Sequence, residues 1–215
     1  MKLETIVCGR IYTNSYILYD DFNRCFIIDP ASGKPILDYI NENSLKIQAI
    51  LLTHGHYDHI DGIPDILNSF KDIPIYIDED DKNCLFDPLW NGSFDTDAPV
   101  IIANANKVLN YEKDLKFDNA SFKVFKFPGH TPGSVVLQYE KMLFTGDFIF
   151  RGSVGRTNYY RGSSRSMMES LNKFIEIFGN INYDFKIYPG HMESTTLSYE
   201  LLHNPFLVRI INSNK

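Results

Sequence analysis

Cysteine is scarce in this chain of 215 residues, and the three present, Cys8, Cys25 and Cys84, are far apart and odd in number. No C-x-x-C occurs, which leaves no readable disulfide framework or cysteine-based zinc site. The three read as buried thiols of a reducing compartment. Long apolar runs are also missing: none approaches the roughly 18 residues of a membrane span. The first residues, Met1 to Val7, include Glu4 and read as a strand rather than a signal peptide. A cytoplasmic location is expected. Positive charge is in deficit, with Lys+Arg 21 against Asp+Glu 27 and a net charge of −6. That balance argues against nucleic acid or an anionic membrane as a partner. Low-complexity linkers and charge blocks are absent too, so one domain spanning residues 1–215 is expected. With 44% apolar and 22% charged residues, the chain has the means to bury a core.

What is present alternates between strand and helix signals. Tyr16 to Tyr19 and Cys25 to Ile28 are apolar runs around a polar turn, followed by helical spacing of Ile36, Leu37 and Ile40. Ile47 to Leu52, apolar except for Gln48, reads as a strand buried on both faces. A helix with Ile63, Ile66, Leu67 and Phe70 and a strand over Ile73 to Ile77 come next. Residues 78–99 read as a short helix and a long surface loop. Strands over Ser121 to Phe127, Val135 to Tyr139 and Met142 to Thr145 precede the clearest helix, Ser164 to Phe178, with Met167, Leu171, Phe174 and Phe178 on one face. A last strand, Phe185 to Tyr188, and a helix over Thr195 to His203, stopped by Asn204-Pro205, close the pattern. The order predicts an α/β fold of two similar halves, with two sheets face to face and helices outside.

Histidine is rare as well, but its placement is informative. Five of six fall in three places: His54, His56 and His59 together, then His130, then His191. Each place follows a predicted strand and lies in or beside a glycine-containing loop. A further strand ends in Thr145-Gly146-Asp147. Loops at strand ends are where a rigid scaffold offers groups to a ligand. Three imidazoles and Asp58 within six residues have an obvious common use, binding a divalent metal. His54 and His56, two apart on an extended loop, suit one metal; Asp58 and His59, at the start of a helix, suit a second.

His54-Gly55-His56-Tyr57-Asp58-His59 followed by His130, Asp147 and His191 resembles the metallo-β-lactamase fold superfamily. Thr13-Asn14-Ser15-Tyr16, Ile28-Asp29-Pro30, Pro128-Gly129-His130-Thr131-Pro132-Gly133-Ser134, Gly152-Ser153-Val154-Gly155-Arg156-Thr157, Thr195-Thr196 and Asn204-Pro205-Phe206-Leu207 resemble its glyoxalase II-like branch. The resemblance spans nearly the whole chain. It implies a four-layer αββα sandwich and two divalent metals, zinc first, with iron or manganese also fitting. One metal is implied at His54, His56 and His130, and a second at Asp58, His59 and His191, with Asp147 bridging. Seven side chains exceed one tetrahedral zinc and fit two. The implied activity is hydrolysis of a small-molecule thioester, hydroxyacylglutathione hydrolase-like, by a metal-bound hydroxide attacking the carbonyl. Asp58 then serves as ligand and catalytic proton acceptor.

Arg156, Tyr159, Tyr160 and Arg161 lie in a loop expected to rim the pocket, as substrate contacts or as packing. Arg156 has a structural alternative, tying down carbonyls. Asn158 stands where the branch usually has Asp, and little chain follows His191 to grip glutathione. Two other readings remain: a mononuclear iron persulfide dioxygenase using His54, His130 and Asp147, and a catalytically silent metal-binding domain.

Overall fold

The computed structural model describes residues 1–105, 107–111 and 114–213. Its contacts divide the chain into two compact units, Met1–Tyr111 and Glu112–Lys215. Each unit combines a mixed sheet with helices, so the chain is α/β as its sequence predicts.

In the first unit, β1 (Lys2–Cys8), β2 (Thr13–Tyr19), β3 (Arg24–Ile28), β4 (Lys46–Leu51), β5 (Ile75–Ile77) and β6 (Val108–Asn110) form a six-stranded sheet in chain order. Tight turns make β1, β2 and β3 antiparallel. From β3 onward the neighbours are parallel, which requires crossovers. Helix α1 (Gly33–Glu42) supplies the first; α2 (Tyr57–Ile60) and α3 (Ile63–Ser69) lie in the second. Ile36 and Ile40 of α1 and Ile66 and Leu67 of α3 join Ile27 and Ile50 in one core. Ala49, Ile50, Leu51 and Leu52 are fully buried, which explains the apolar end of β4; Lys46 and Gln48, earlier in the strand, are not.

Residues 78–99 carry more structure than a short helix and a surface loop. A 3-10 helix (Glu79–Leu85), capped by Asp78, is followed by α4 (Pro88–Asn91), capped by Asp87. Leu85, Val100 and Ile102 are in the core, and the buried Asn91 side chain donates to the carbonyls of Cys84 and Val100. Pairing decisions of this kind need tertiary contacts that no local period reveals.

In the second unit, β14, β13, β10, β9, β8 and β7 lie in that order in a second six-stranded sheet. Their spans are β7 (Asp114–Lys116), β8 (Ser121–Lys126), β9 (Val135–Tyr139), β10 (Met142–Gly146), β13 (Lys186–Pro189) and β14 (Thr195–Thr196). A small hairpin, β11 (Ile149–Phe150) with β12 (Ser153–Val154), stands apart. Helix α5 (Ser164–Phe178) crosses between the parallel strands β10 and β13. Its Ser163 cap accepts from the Ser166 amide, and Met167, Leu171, Phe174 and Phe178 are buried as their spacing predicts. Phe127 and Phe148 stack at 4.8 Å against Phe174. Helix α6 (Leu197–His203) ends where expected, but Pro205 does not stop the chain: it opens α7 (Pro205–Ser213). Proline fits a first helical turn because its missing N–H is not needed there.

All three cysteines are buried and none is disulfide-bonded. No helix among the described residues is long and apolar enough to cross a membrane.

Candidate metal centre

The parallel strands direct the candidate ligands. In the first unit the chain leaves β4 through Thr53 into the turn His54-Gly55-His56, and Asp58 and His59 follow in α2. All four candidate ligands are buried. The His54 and His59 rings lie 4.1 Å apart between centroids, and His54 and His56 lie 4.9 Å apart.

One carboxylate outside the predicted ligand set organises this group. Asp29, just beyond β3 at a φ of 50°, is 1% exposed. Its Oδ1 accepts the Thr53 amide at 2.8 Å. Its Oδ2 accepts the Thr53 hydroxyl at 2.6 Å and His59 Nδ1 at 2.9 Å. The Thr53 hydroxyl has one proton and gives it to Asp29. At 3.1 Å from His54 Nδ1 it therefore accepts. Both imidazoles thus carry the proton on Nδ1 and present Nε2 as a lone pair, as metal-ligating histidines do. Asp29, His54 and His59 place possible ligand atoms within 4.8 Å of one another, but both Asp29 oxygens serve these hydrogen bonds.

His59 Nε2 lies 3.3 Å from Asp58 Oδ2, which also accepts the Thr13 hydroxyl at 2.9 Å. Two lone-pair atoms face each other, an arrangement that needs a cation between them. A divalent metal held by both atoms meets this geometry.

The second unit repeats the arrangement. The β10–β13 pairing, with the Gly190 amide donating to the Gly146 carbonyl, brings Asp147 and His191 side by side. His191 Nε2 is 3.6 Å from Asp147 Oδ2. His130 Nε2 is 3.3 Å from the same oxygen, and His130 Nδ1 donates to the Arg156 carbonyl at 2.8 Å. A carbonyl only accepts, so the Nε2 of His130 is again the lone-pair nitrogen facing a carboxylate. In each unit the donors fit a divalent cation.

Of the four loop residues, Arg156 contributes this backbone carbonyl, and its guanidinium lies 4.0 Å from the Tyr159 ring centroid. Arg156 also lines a cavity of about 290 Å³ with Val154, Met167, Leu171 and Phe206. Tyr160 packs against Tyr159 at 6.4 Å, and Arg161 takes a left-handed φ of 61° before α5. Sequence reasoning missed Asp29, Thr53 and Thr13 as supporting groups. The available signal was their place in the Ile28-Asp29-Pro30 and Thr13-Asn14-Ser15-Tyr16 segments and beside His54.

Residues 8–191 match the family model of the metallo-beta-lactamase superfamily. The chain is 32% identical over 213 residues to "Hydroxyacylglutathione hydrolase GloC" of Haemophilus influenzae, covering 96% of this chain and 98% of that protein. Among solved structures, BLEG-1 B3 metallo-beta-lactamase superposes with a TM-score of 0.87 at 36% identity, over 96% of this chain and 99% of the other. TTHA1623 in a di-iron-bound form superposes with a TM-score of 0.78 at 28% identity, over 95% and 100%.

Proposed function

Since the chain belongs to the metallo-beta-lactamase superfamily, we propose that it is a metal-dependent hydrolase of thioesters, of the hydroxyacylglutathione hydrolase kind. The observation that carries the reading is the pair of facing acceptors in each unit, His59 Nε2 with Asp58 Oδ2 and His130 Nε2 with Asp147 Oδ2, each 3.3 Å apart. On this reading His54, His56 and His130 would hold one ion and Asp58, His59 and His191 a second, with Asp147 serving both. The His and Asp donors suit zinc, iron or manganese, and the di-iron neighbour supports iron as a candidate beside zinc.

When bound, such ions act as Lewis acids that lower the pKa of a coordinated water towards roughly 7 and polarise a carbonyl. The protein's own residues do the rest. Asp29, through Thr53 and directly, keeps His54 and His59 in the ligating tautomer. The Arg156 carbonyl does the same for His130. Asp58 accepts the proton of the attacking water, its carboxylate held by the Thr13 hydroxyl. A thioester suits this site because a thiolate, with a parent pKa of roughly 8.5, leaves without a general acid. Tyr159, Tyr160 and Arg161 are proposed to rim the substrate, with the Arg156 side chain held over Tyr159.

The test is the initial rate of S-D-lactoylglutathione hydrolysis by metal-loaded protein, with Asp58→Ala as control. Turnover that falls at least 100-fold in the variant is expected, within the usual range for loss of general-base catalysis. Absence of turnover on this and other thioesters, with hydrolysis of a β-lactam or oxygen uptake with glutathione persulfide instead, would overturn the thioesterase reading.

A further inference from the structure

The 3-10 helix Glu79–Leu85 has no part in the function so far, yet it is packed against the His54-Gly55-His56 turn. The Asp81 side chain is fully buried, and its Oδ2 accepts the Gly55 amide at 3.1 Å. A Cβ on Gly55 would stand 2.4 Å from Cβ and 2.7 Å from Sγ of Cys84, and 3.1 Å from the Asp81 carbonyl. The Gly55 amide is therefore held by a hydrogen bond, and the space a side chain would need is taken by Cys84. Only glycine fits between the two histidines.

The helix that does this is itself fixed. Asp78 caps it through the Asp80 amide, and the Asp78 carbonyl accepts the Asp81 amide at 3.0 Å. At its far end the Cys84 carbonyl accepts from Asn91 at 2.8 Å, and the Leu85 carbonyl accepts the Ile102 amide at 2.7 Å. The Ser93 hydroxyl accepts the Val100 amide at 2.8 Å, closing the segment that follows. Residues 78–102 thus form a stitched wall rather than a lid.

We propose that Asp81 is a positioning residue for the metal turn, fixing His54 and His56 through Gly55 and adding a negative charge beside the cation they hold. The proposal rests on the reading that these two histidines ligate a metal. A buried carboxylate one peptide away offsets positive charge gathered at the imidazoles, so its removal weakens the ion as well as the turn. Asp81→Asn separates the two effects, because the amide keeps an acceptor oxygen for Gly55 and loses the charge.

The test is Zn²⁺ competition against a chelator on the full chain, for wild type, D81N, D81A and H56A. H56A loses one metal equivalent and so identifies the ion that the turn holds. D81N weakens that same equivalent about 10-fold, the lower end for loss of a supporting group, and D81A weakens it further. The other equivalent is unchanged, which a general loss of stability does not produce. Co²⁺ loading gives a second readout: the visible absorption that H56A removes is altered in D81N. Should D81N not purify, Gly55→Ala, pressing the turn onto Cys84, is titrated in its place with the same expected loss. Wild-type affinity at both equivalents in D81N, or in G55A, overturns the proposal. Full metal content in H56A overturns the ligand reading itself, and this proposal with it.

Discussion

The backbone carbonyl of Arg156 lies 2.8 Å from Nδ1 of His130 and accepts a hydrogen bond from it, so Arg156 supports a candidate ligand without using its side chain. Replacing that side chain is therefore a different experiment from moving its backbone. Arg156→Ala is expected to keep its metal affinity within about twofold, as for a surface change of half a kcal/mol. If the guanidinium contacts substrate, KM rises and kcat holds. Gly155→Ala is expected to fail. Its Cβ would stand 1.8 Å from the Asp147 carbonyl oxygen and 3.1 Å from His130 Nδ1. Metal content by plasma mass spectrometry separates the two: unchanged in R156A, reduced in G155A.

Asp29 governs two imidazoles at once. Asp29→Asn keeps one acceptor oxygen, but an amide N–H must then face a donor, either the Thr53 amide or the His59 Nδ1–H and Thr53 hydroxyl pair. Metal affinity is expected to fall 10- to 100-fold, the range for an outer partner of a ligating histidine. Chelator competition measures it. Unchanged affinity would show that the tautomers are set elsewhere.

Glu200 is fully buried in the second unit. Its Oε1 accepts the Thr195 hydroxyl at 2.7 Å, and its Oε2 accepts the Gly152 amide and the Asn204 side chain, each at 2.9 Å. Asn204 also donates to the Ser153 carbonyl at 2.9 Å, so α6 is tied to the turn of the β11–β12 hairpin. Glu200→Gln sets donor against donor. It is expected to cost about 2 kcal/mol, since hydrogen bonds to a charged group are worth roughly 1.5–3 kcal/mol. For a chain of this size that is a fall of about 4–8 °C in Tm. A Tm within a degree of wild type would contradict the network's role.

Burial, with the Asp20 carboxylate adding to it, pushes the Cys25 thiol up to about 12. In the unfolded chain the same thiol ionises near 8.5, roughly the free value. Between those values the unfolded chain has shed a proton that the folded chain keeps, so stability falls as pH rises. The slope is up to about 1.4 kcal/mol per pH unit. Cys25→Ala removes this component. Urea midpoints between pH 7 and pH 10.5 are expected to fall less steeply in C25A than in wild type. Parallel slopes would place the alkaline sensitivity in other groups.

The parts of the fold that were legible have long, consistent patterns. In α5 four buried apolar residues recur at helical spacing between a serine cap and Gly179. At the end of β4 the apolar run Ala49 to Leu52 stops one residue short of His54. What escaped was short or paired at a distance. Strands β6, β7, β11, β12 and β14 have two or three residues each, too few to show a period. Pro205 carries the same sequence signal whether it stops one helix or opens the next, and here it opens α7.

The candidate site divides along similar lines. The histidines are visible because they are rare and sit at strand ends. Their supports are ordinary residues whose meaning comes from contact across the fold: Thr13 and Asp58 are 45 positions apart, His59 and Asp29 are 30 apart, and Gly55 and Asp81 are 26 apart. No spacing rule connects them, and only the sheet register and the crossovers bring each pair together.

The central claim is the proposal that the chain binds two metal ions, with His56 and His191 among the ligands of different ions. Metal stoichiometry of the purified, metal-saturated chain tests it most directly, for wild type, H56A and H191A. The account predicts two ions per chain in wild type and one in each variant, lost from different ions of the pair. A single ion in wild type, or two retained in either variant, would contradict it.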